Sequence, residues 1–204
     1  MATAAEHPLA KYRNKRDFNR TKIDAPDRLI LDLDPGDGTP WAAAMLVRSF
    51  LRELELESWL KSSGGKGLHI VVPVTPKLSY EIVKAFCDAV VQHPSRVISS
   101  RFVAKSGLAN RIGKVFVDYL RNGHGATTET AFSARARAGL GVSMPVTWDE
   151  LPTLKGGSHW TIATAREHRS FQRADPRASY WTKRETLTAA IKVLGFKAPQ
   201  RTQA

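Results

Sequence analysis

Apolar residues along the chain fall into two patterns, short near-continuous runs and longer stretches at helical spacing, and aspartates sit at particular places in the runs. Arg28-Leu-Ile-Leu-Asp-Leu-Asp34 is apolar apart from its ends and Asp32, and it runs into Pro35-Gly36-Asp37-Gly38. That pattern predicts a buried strand entering a turn, with both carboxylates near the strand's exit. Thr39-Pro40 then offers an N-cap and a first-turn proline. Ala43, Leu46, Val47, Phe50, Leu51 and Leu54 follow at helical spacing. Residues 58–62 predict a second strand, Ser63-Gly-Gly-Lys-Gly67 a flexible loop, and residues 68–74 a third strand. Ser79 is placed to cap a second helix with Ile82, Val83, Phe86, Cys87 and Val90 on one face. Residues 114–120, 131–136 and 142–146 read as further strands, and residues 148–151 as a helical turn. A last helix is expected from about residue 179 to residue 194, closed by Gly195.

Composition narrows the class. With 204 residues, 42% hydrophobic and 25% charged, the chain suits one substantial domain with its own core, and it shows no internal repeat or low-complexity tract. A single cysteine, Cys87, excludes an internal disulfide and reads as core packing; no Cys/His set has zinc spacing. The most apolar stretch, residues 42–47, is too short to span a bilayer, and residues 1–20 lack the apolar core of a signal peptide. Secreted and membrane classes drop out, and a cytoplasmic protein is expected. Charge adds more: 31 Lys and Arg against 19 Asp and Glu give a net +12, which points to a polyanionic partner. The excess avoids residues 31–95, where six basic groups face eight acidic ones. It concentrates in residues 96–140, with eight against two, and in residues 155–204, with ten against three.

Candidate chemistry centres on the first strand. Period-two geometry puts Asp32 and Asp34 on one face with Leu33 on the other, and two like charges that close call for a cation. If Asp118, midway in another apolar run, pairs alongside, three carboxylates converge. Such a set suits Mg²⁺ or Mn²⁺ and phosphoryl or nucleotidyl transfer. The competing reading leaves Asp34 capping the turn and Asp118 at an edge. Ser63-Gly64-Gly65-Lys66-Gly67 resembles a phosphate cradle, although a plain hairpin is the alternative, and it is not a Walker A loop because two of that motif's positions fail. His69 alternates with Leu68 and Ile70 and adjoins this loop, so it is either a structural strand histidine or a donor to phosphate. Arg121 lies just past Asp118. Arg135 and Arg137 are expected on one face of the strand at 131–136, as phosphate forks or as solvated charges. His93, His124, His159 and His168 form no ligand set.

Together these residues resemble a known family, the polymerase domain of bacterial DNA ligase D, a branch of the archaeo-eukaryotic primase superfamily. The resemblance rests on Asp-Arg-Leu-Ile-Leu-Asp-Leu-Asp-Pro-Gly at 27–36, Lys-Ser-Ser-Gly-Gly-Lys-Gly-Leu-His at 61–69, and Val-Phe-Val-Asp-Tyr-Leu-Arg-Asn at 115–122. It continues through Ser-Ala-Arg-Ala-Arg-Ala-Gly at 133–139 and Val-Ser-Met-Pro-Val-Thr-Trp-Asp-Glu-Leu at 142–151, in the family's order. It implies an α/β (α+β) fold, a mostly antiparallel primase-polymerase-type sheet flanked by helices. Residues 26–195 would form the catalytic domain, 1–25 a partial N-terminal segment and 196–204 a tail. By the same resemblance, Asp32, Asp34 and Asp118 bind the catalytic Mn²⁺ or Mg²⁺, Ser63, Lys66 and His69 bind triphosphate, and Arg121, Arg135 and Arg137 are active-site arginines. His7, followed by Pro8, matches a histidine near the incoming ribose, though Leu9 stands where a tryptophan is usual.

The implied activity is a metal-dependent nucleotidyltransferase that adds nucleotides, preferentially ribonucleotides, to DNA ends in non-homologous end joining. Implied partners are primer-template DNA, nucleoside triphosphates, an end-binding protein and a separate ligase, in a nucleoid-associated cytoplasmic setting. Only 31 residues precede Asp32, fewer than in the family. A shortened enzyme, half of a split enzyme, or a catalytically degenerate DNA- or nucleotide-binding module are therefore the alternatives. An Asp-x-Asp phosphotransferase of the haloacid dehalogenase type fits poorly, because Gly36 stands where that family needs threonine.

Overall fold

Alternation along the first apolar run decides the architecture. In the computed structural model, which describes residues 25–36, 40–105 and 107–199, that run is strand β1 (Arg28–Pro35). Leu29, Leu31 and Leu33 are buried on one side of it, and Ile30, Asp32 and Asp34 lie on the other. Five more strands follow, β2 (Trp59–Ser62), β3 (Leu68–Pro73), β4 (Phe102–Val103), β5 (Val115–Asp118) and β6 (Pro145–Val146). They form one six-stranded sheet in the order β4-β5-β1-β3-β2-β6. Every pairing is antiparallel except β4 with β5. The expected mixed fold with a mostly antiparallel sheet is therefore present.

One face of the sheet is covered by two amphipathic helices, α1 (Trp41–Glu53) and α2 (Tyr80–Val97). Ala43, Ala44, Val47 and Leu51 of α1 and Val83, Phe86, Cys87 and Val90 of α2 join Leu29, Leu31, Leu33, Leu60, Leu68, Ile70 and Val72 in one core. Helical spacing on one side and period-two spacing on the other bring apolar stripes together. Ser79 caps α2 as expected, its Oγ accepting from Ile82 N at 3.5 Å. Pro40 stands before α1 without a side-chain cap, and Thr39, the expected cap, lies outside the described residues. A short helix α3 (Ala165–Phe171) and a last helix α4 (Leu187–Leu194) complete the regular elements. Among the described residues no helix is long and apolar enough to cross a membrane.

The structure corrects three expectations. Residues 131–136 are not a strand: Phe132 has φ 65°, which interrupts an extended chain, and only the bridge between Ala134 and Val142 remains. The strand expected at 142–146 shortens to β6, because Ser143 N donates to Ser133 O at 2.9 Å and Ser143 O accepts from Phe132 N at 2.6 Å, so both groups are spent on the loop at 132–133. The last helix begins at Leu187 rather than near residue 179, because Glu185 N donates to Pro73 O at 3.0 Å and holds the preceding chain against the end of β3.

Candidate active site

Register turns the open face of the sheet into a row of ionisable groups. Asp32 of β1 pairs with Asp118 of β5 on one side and with His69 of β3 on the other. His69 in turn pairs with Lys61 of β2. Residues directly opposite in neighbouring strands point to the same face. Asp118, Asp32, His69 and Lys61 therefore form a line across four strands, all buried. Two residues along each strand, on the same face, Ile30, Val71 and Trp59 form an apolar row with Tyr180 against it. Asp34 lies two residues beyond Asp32 on the same face, at the mouth of the row.

The carboxylates are held in place by the turn that follows β5. Leu120 N donates to Asp118 Oδ1 at 2.7 Å. Arg121 Nε sits 3.3 Å from Asp118 Oδ2 and 3.5 Å from Asp32 Oδ2, so one guanidinium bridges both aspartates. Asn122 anchors the turn: its Oδ1 accepts from Ile30 N at 2.8 Å, and its Nδ2 donates to Ile30 O at 2.7 Å and to Tyr119 O at 2.8 Å. This amide completes the hydrogen bonding of β1 beyond the last β5 pair.

The glycine segment links β2 to β3 as a hairpin, and it is also the floor to which the two arginines reach. Gly64 has φ 68°, a left-handed conformation that suits glycine, and a Cβ there would meet Arg135 Cγ at 2.9 Å. A Cβ on Gly65 would lie 3.6 Å from Arg137 Nη1. Both side chains thus run over the loop, and they come from a turn closed by Arg135 N donating to Gly141 O and Leu140 N donating to Arg137 O, not from the expected strand. Ser63 Oγ accepts from Gly65 N at 3.1 Å and shapes the loop. Gly67 presses against Leu33 O of β1 so closely that any side chain would collide with the strand. Lys66 points to a separate part of the loop, lining a cavity of about 330 Å³ with Pro35, Gly36, Gly65, Gly156, Gly157 and Ser158.

Burial sets the electrostatics. Desolvation pushes the Asp32 carboxyl up to about 7, with Asp34 and Asp118 adding repulsion against the pull of Arg121 and Lys61. Desolvation pulls the Lys61 ammonium down to about 7, and Arg135 adds to this while Asp32 resists it. Burial, then Lys61, Arg121 and Arg135, drive His69 far below the usual imidazole range, so it is neutral at pH 7. Its Nε2, 3.4 Å from Asp32 Oδ1 and 3.5 Å from Glu129 Oε2, is then an N–H donor rather than half of an ion pair, a tautomer assigned from those two neighbours. Its buried Nδ1 has no hydrogen-bond partner.

Among the described residues no ready-made group of His, Cys, Asp or Glu ligands surrounds a metal position. The donors nevertheless fit a hard divalent cation. Asp32, Asp34 and Asp118 offer carboxylate oxygens, and their repulsion, felt at Asp32 and relieved in part by Arg121, is what such a cation removes. The sequence-derived residues Asp32, Asp118, His69 and Arg121 are in contact with one another, and Ser63, Arg135 and Arg137 meet at the loop. His7 lies outside the described residues. Three residues escaped the sequence reading. Lys61 donates to Ser143 Oγ at 3.0 Å and ties the row to the arginine turn. Glu129 engages Arg135 and His69. Gly157 packs against the Gly67 carbonyl and accepts from Gly64 N at 2.9 Å through its own carbonyl. Of these, Gly157 left a trace in the Gly156-Gly157-Ser158 triplet, and Lys61 opens the motif at 61–69 without a role of its own there.

Comparison with known proteins bears on this arrangement. A family model described as the LigD primase-polymerase domain matches residues 1–176. The multifunctional non-homologous end joining protein LigD of Pseudomonas aeruginosa is 43% identical over 175 residues, covering 83% of this chain and 21% of that protein. Its counterpart from Mycolicibacterium smegmatis is 34% identical over 128 residues, covering 61% of this chain and 17% of that protein. The chain thus spans about a fifth of the length of these curated relatives. Among solved structures, the polymerase domain from Mycobacterium tuberculosis ligase D in complex with DNA aligns with a TM-score of 0.62 and 33% identity. That alignment covers 66% of this chain and 49% of the other.

Proposed function

The chain belongs to the LigD primase-polymerase family, and from that premise we propose that it is a nucleotidyltransferase that uses Mn²⁺ or Mg²⁺ to extend DNA ends with nucleoside triphosphates. The observation that carries this reading is the register row: Asp118, Asp32 and His69 stand side by side on one sheet face, beside a glycine loop crossed by two arginines. Asp32, Asp34 and Asp118 would hold the divalent cation, which when bound lends positive charge to phosphate oxygens and makes the primer hydroxyl easier to ionise.

The chain's own groups account for the remaining requirements. Arg135 and Arg137, forked donors above the loop, neutralise the oxygens of the β- and γ-phosphates, with Lys66 and the Ser63 hydroxyl at the loop's other positions. Neutral His69 offers its Nε2–H to a phosphate oxygen without adding charge beside Lys61 and Arg135. Arg121 and the Leu120 N–H fix both oxygens of Asp118 and so orient its carboxylate toward Asp32. The primer 3′-oxygen attacks the α-phosphorus, the bond to the bridging oxygen breaks, and pyrophosphate leaves against this basic wall. The basic block at 155–204 supports a path for the DNA backbone, and end-binding and ligating activities would supply the other steps of repair.

Primer extension tests the reading. With Mn²⁺, the protein should add one or a few nucleotides to a labelled primer-template, and Asp34→Ala or Asp118→Ala should lower the rate by about a thousandfold or more. Equal extension by those variants would remove the site assignment. Metal-dependent nucleotide binding with no extension by the wild type would identify a binding module instead.

A further inference from the structure

Glu129 is an acid where the proposed reaction calls for bases. Between Asp118 and Asp149 it is the only acidic side chain, and both of its oxygens are committed to groups assigned above to triphosphate. Oε1 is ion-paired with Arg135, and Oε2 lies 3.5 Å from His69 Nε2. The side chain is half-buried, and it lines the pocket of about 230 Å³ that also includes Lys61, Trp59 and Tyr180. It is carried by residues 126–130, which belong to no helix or strand, so moving it disrupts no sheet or helix hydrogen bond.

We propose that Glu129 is an internal anion occupying the triphosphate-binding groups, and that an incoming triphosphate must displace it. This rests on the nucleotidyltransferase reading and deepens it, since it concerns how the same site selects and releases its anionic ligand. A carboxylate and a phosphate cannot share Arg135 and His69 at these distances without strong repulsion. Binding therefore first breaks the Glu129–Arg135 pair, and the apparent affinity falls by the fraction of molecules in which the site stands open. In return, while no nucleotide is bound the carboxylate keeps Arg135 and neutral His69 in place beside two further cationic side chains, Lys61 and Arg121.

Titration calorimetry with inorganic tripolyphosphate, and separately with ATP and Mn²⁺, tests this on the full chain. Glu129→Gln, which keeps the shape and removes the charge, and Glu129→Ala should each tighten tripolyphosphate binding roughly five- to tenfold, the factor expected for a half-buried ion pair. In an Arg135→Ala background the same Glu129 changes should make a clearly smaller difference, because the ion pair is already gone and only the His69 contact remains. Wild-type binding that is unchanged or weakened in both Glu129 variants overturns the inference and leaves the site assignment standing. Failure of the wild type to bind tripolyphosphate or ATP overturns the site assignment and this inference with it. Should Glu129→Ala unfold, Glu129→Gln decides.

Discussion

The two faces of β1 are built from the same eight residues and do opposite work. On the helix-covered face, Leu29, Leu31 and Leu33 are almost wholly buried against α1 and α2, and each neighbour across the sheet is another aliphatic side chain. On the open face, Ile30 belongs to a small apolar cluster, while Asp32 is buried among charges that raise its proton affinity. The covered face is stabilised by removing apolar area from water. Asp32, by contrast, is held against its own solvation preference, a strain the covered face must offset. A strand one residue out of register would exchange the two faces, so the leucines specify the position of the aspartates as well as the core.

That contrast can be broken in order of effect. Leu31→Ala, on the covered face, should cost about 3 kcal/mol in unfolding free energy, read from urea denaturation, while extension per folded molecule changes less than about twofold. Loss of chemistry without loss of stability would mean that the faces are not separable. Asn122→Ala should cost about 2 kcal/mol, because Ile30 N and O would both lose their partner. It should also lower the extension rate, since Arg121 rides on the same turn. Asp32→Asn should abolish extension yet raise stability near neutral pH by about 2 kcal/mol, reversing the usual sign of a core substitution.

The pH dependence sharpens the last case. The unfolded Asp32 carboxyl titrates near 3.8, and the folded one is raised to about 7. Between those values the folded chain keeps a proton that the unfolded chain has lost, so stability falls as pH rises through this window. Lys61 runs the other way: its folded value is lowered from 10.5 to about 7, so the unfolded chain binds the extra proton between them and stability rises with pH there. Thermal melts without divalent metal should therefore show a minimum near pH 7. Asp32→Asn should flatten the acid limb, and saturating Mn²⁺ should raise the minimum by binding the folded state. A flat profile in the wild type would show that the row is better solvated than its burial implies.

The sheet centre was legible in the sequence because period-two alternation and glycine turns are local signals. Asp32, Asp34, the glycine loop and His69 all lie within 38 consecutive residues joined by one hairpin and one helix. The arginines reach the glycine loop from a turn rather than from the expected strand, since the left-handed Phe132 and the turn at 137–140 leave no periodic trace. Helix α3 went unseen because none of its side chains is buried, so no apolar stripe marks it. Lys61 and Glu129 were missed for a different reason. A lysine in a strand and a glutamate in a loop acquire meaning only from register and from contacts across the fold.

Asn122 carries one more consequence. The last β5 pairing on β1 is at Asp32, so the outer side of the preceding residues would present unpaired peptide groups. Such an edge is a template on which a second chain can add a strand and begin an aggregate. By spending its amide on Ile30, Asn122 blunts that edge with a side chain, and the turn that orients the catalytic candidates also guards the protein against its own copies.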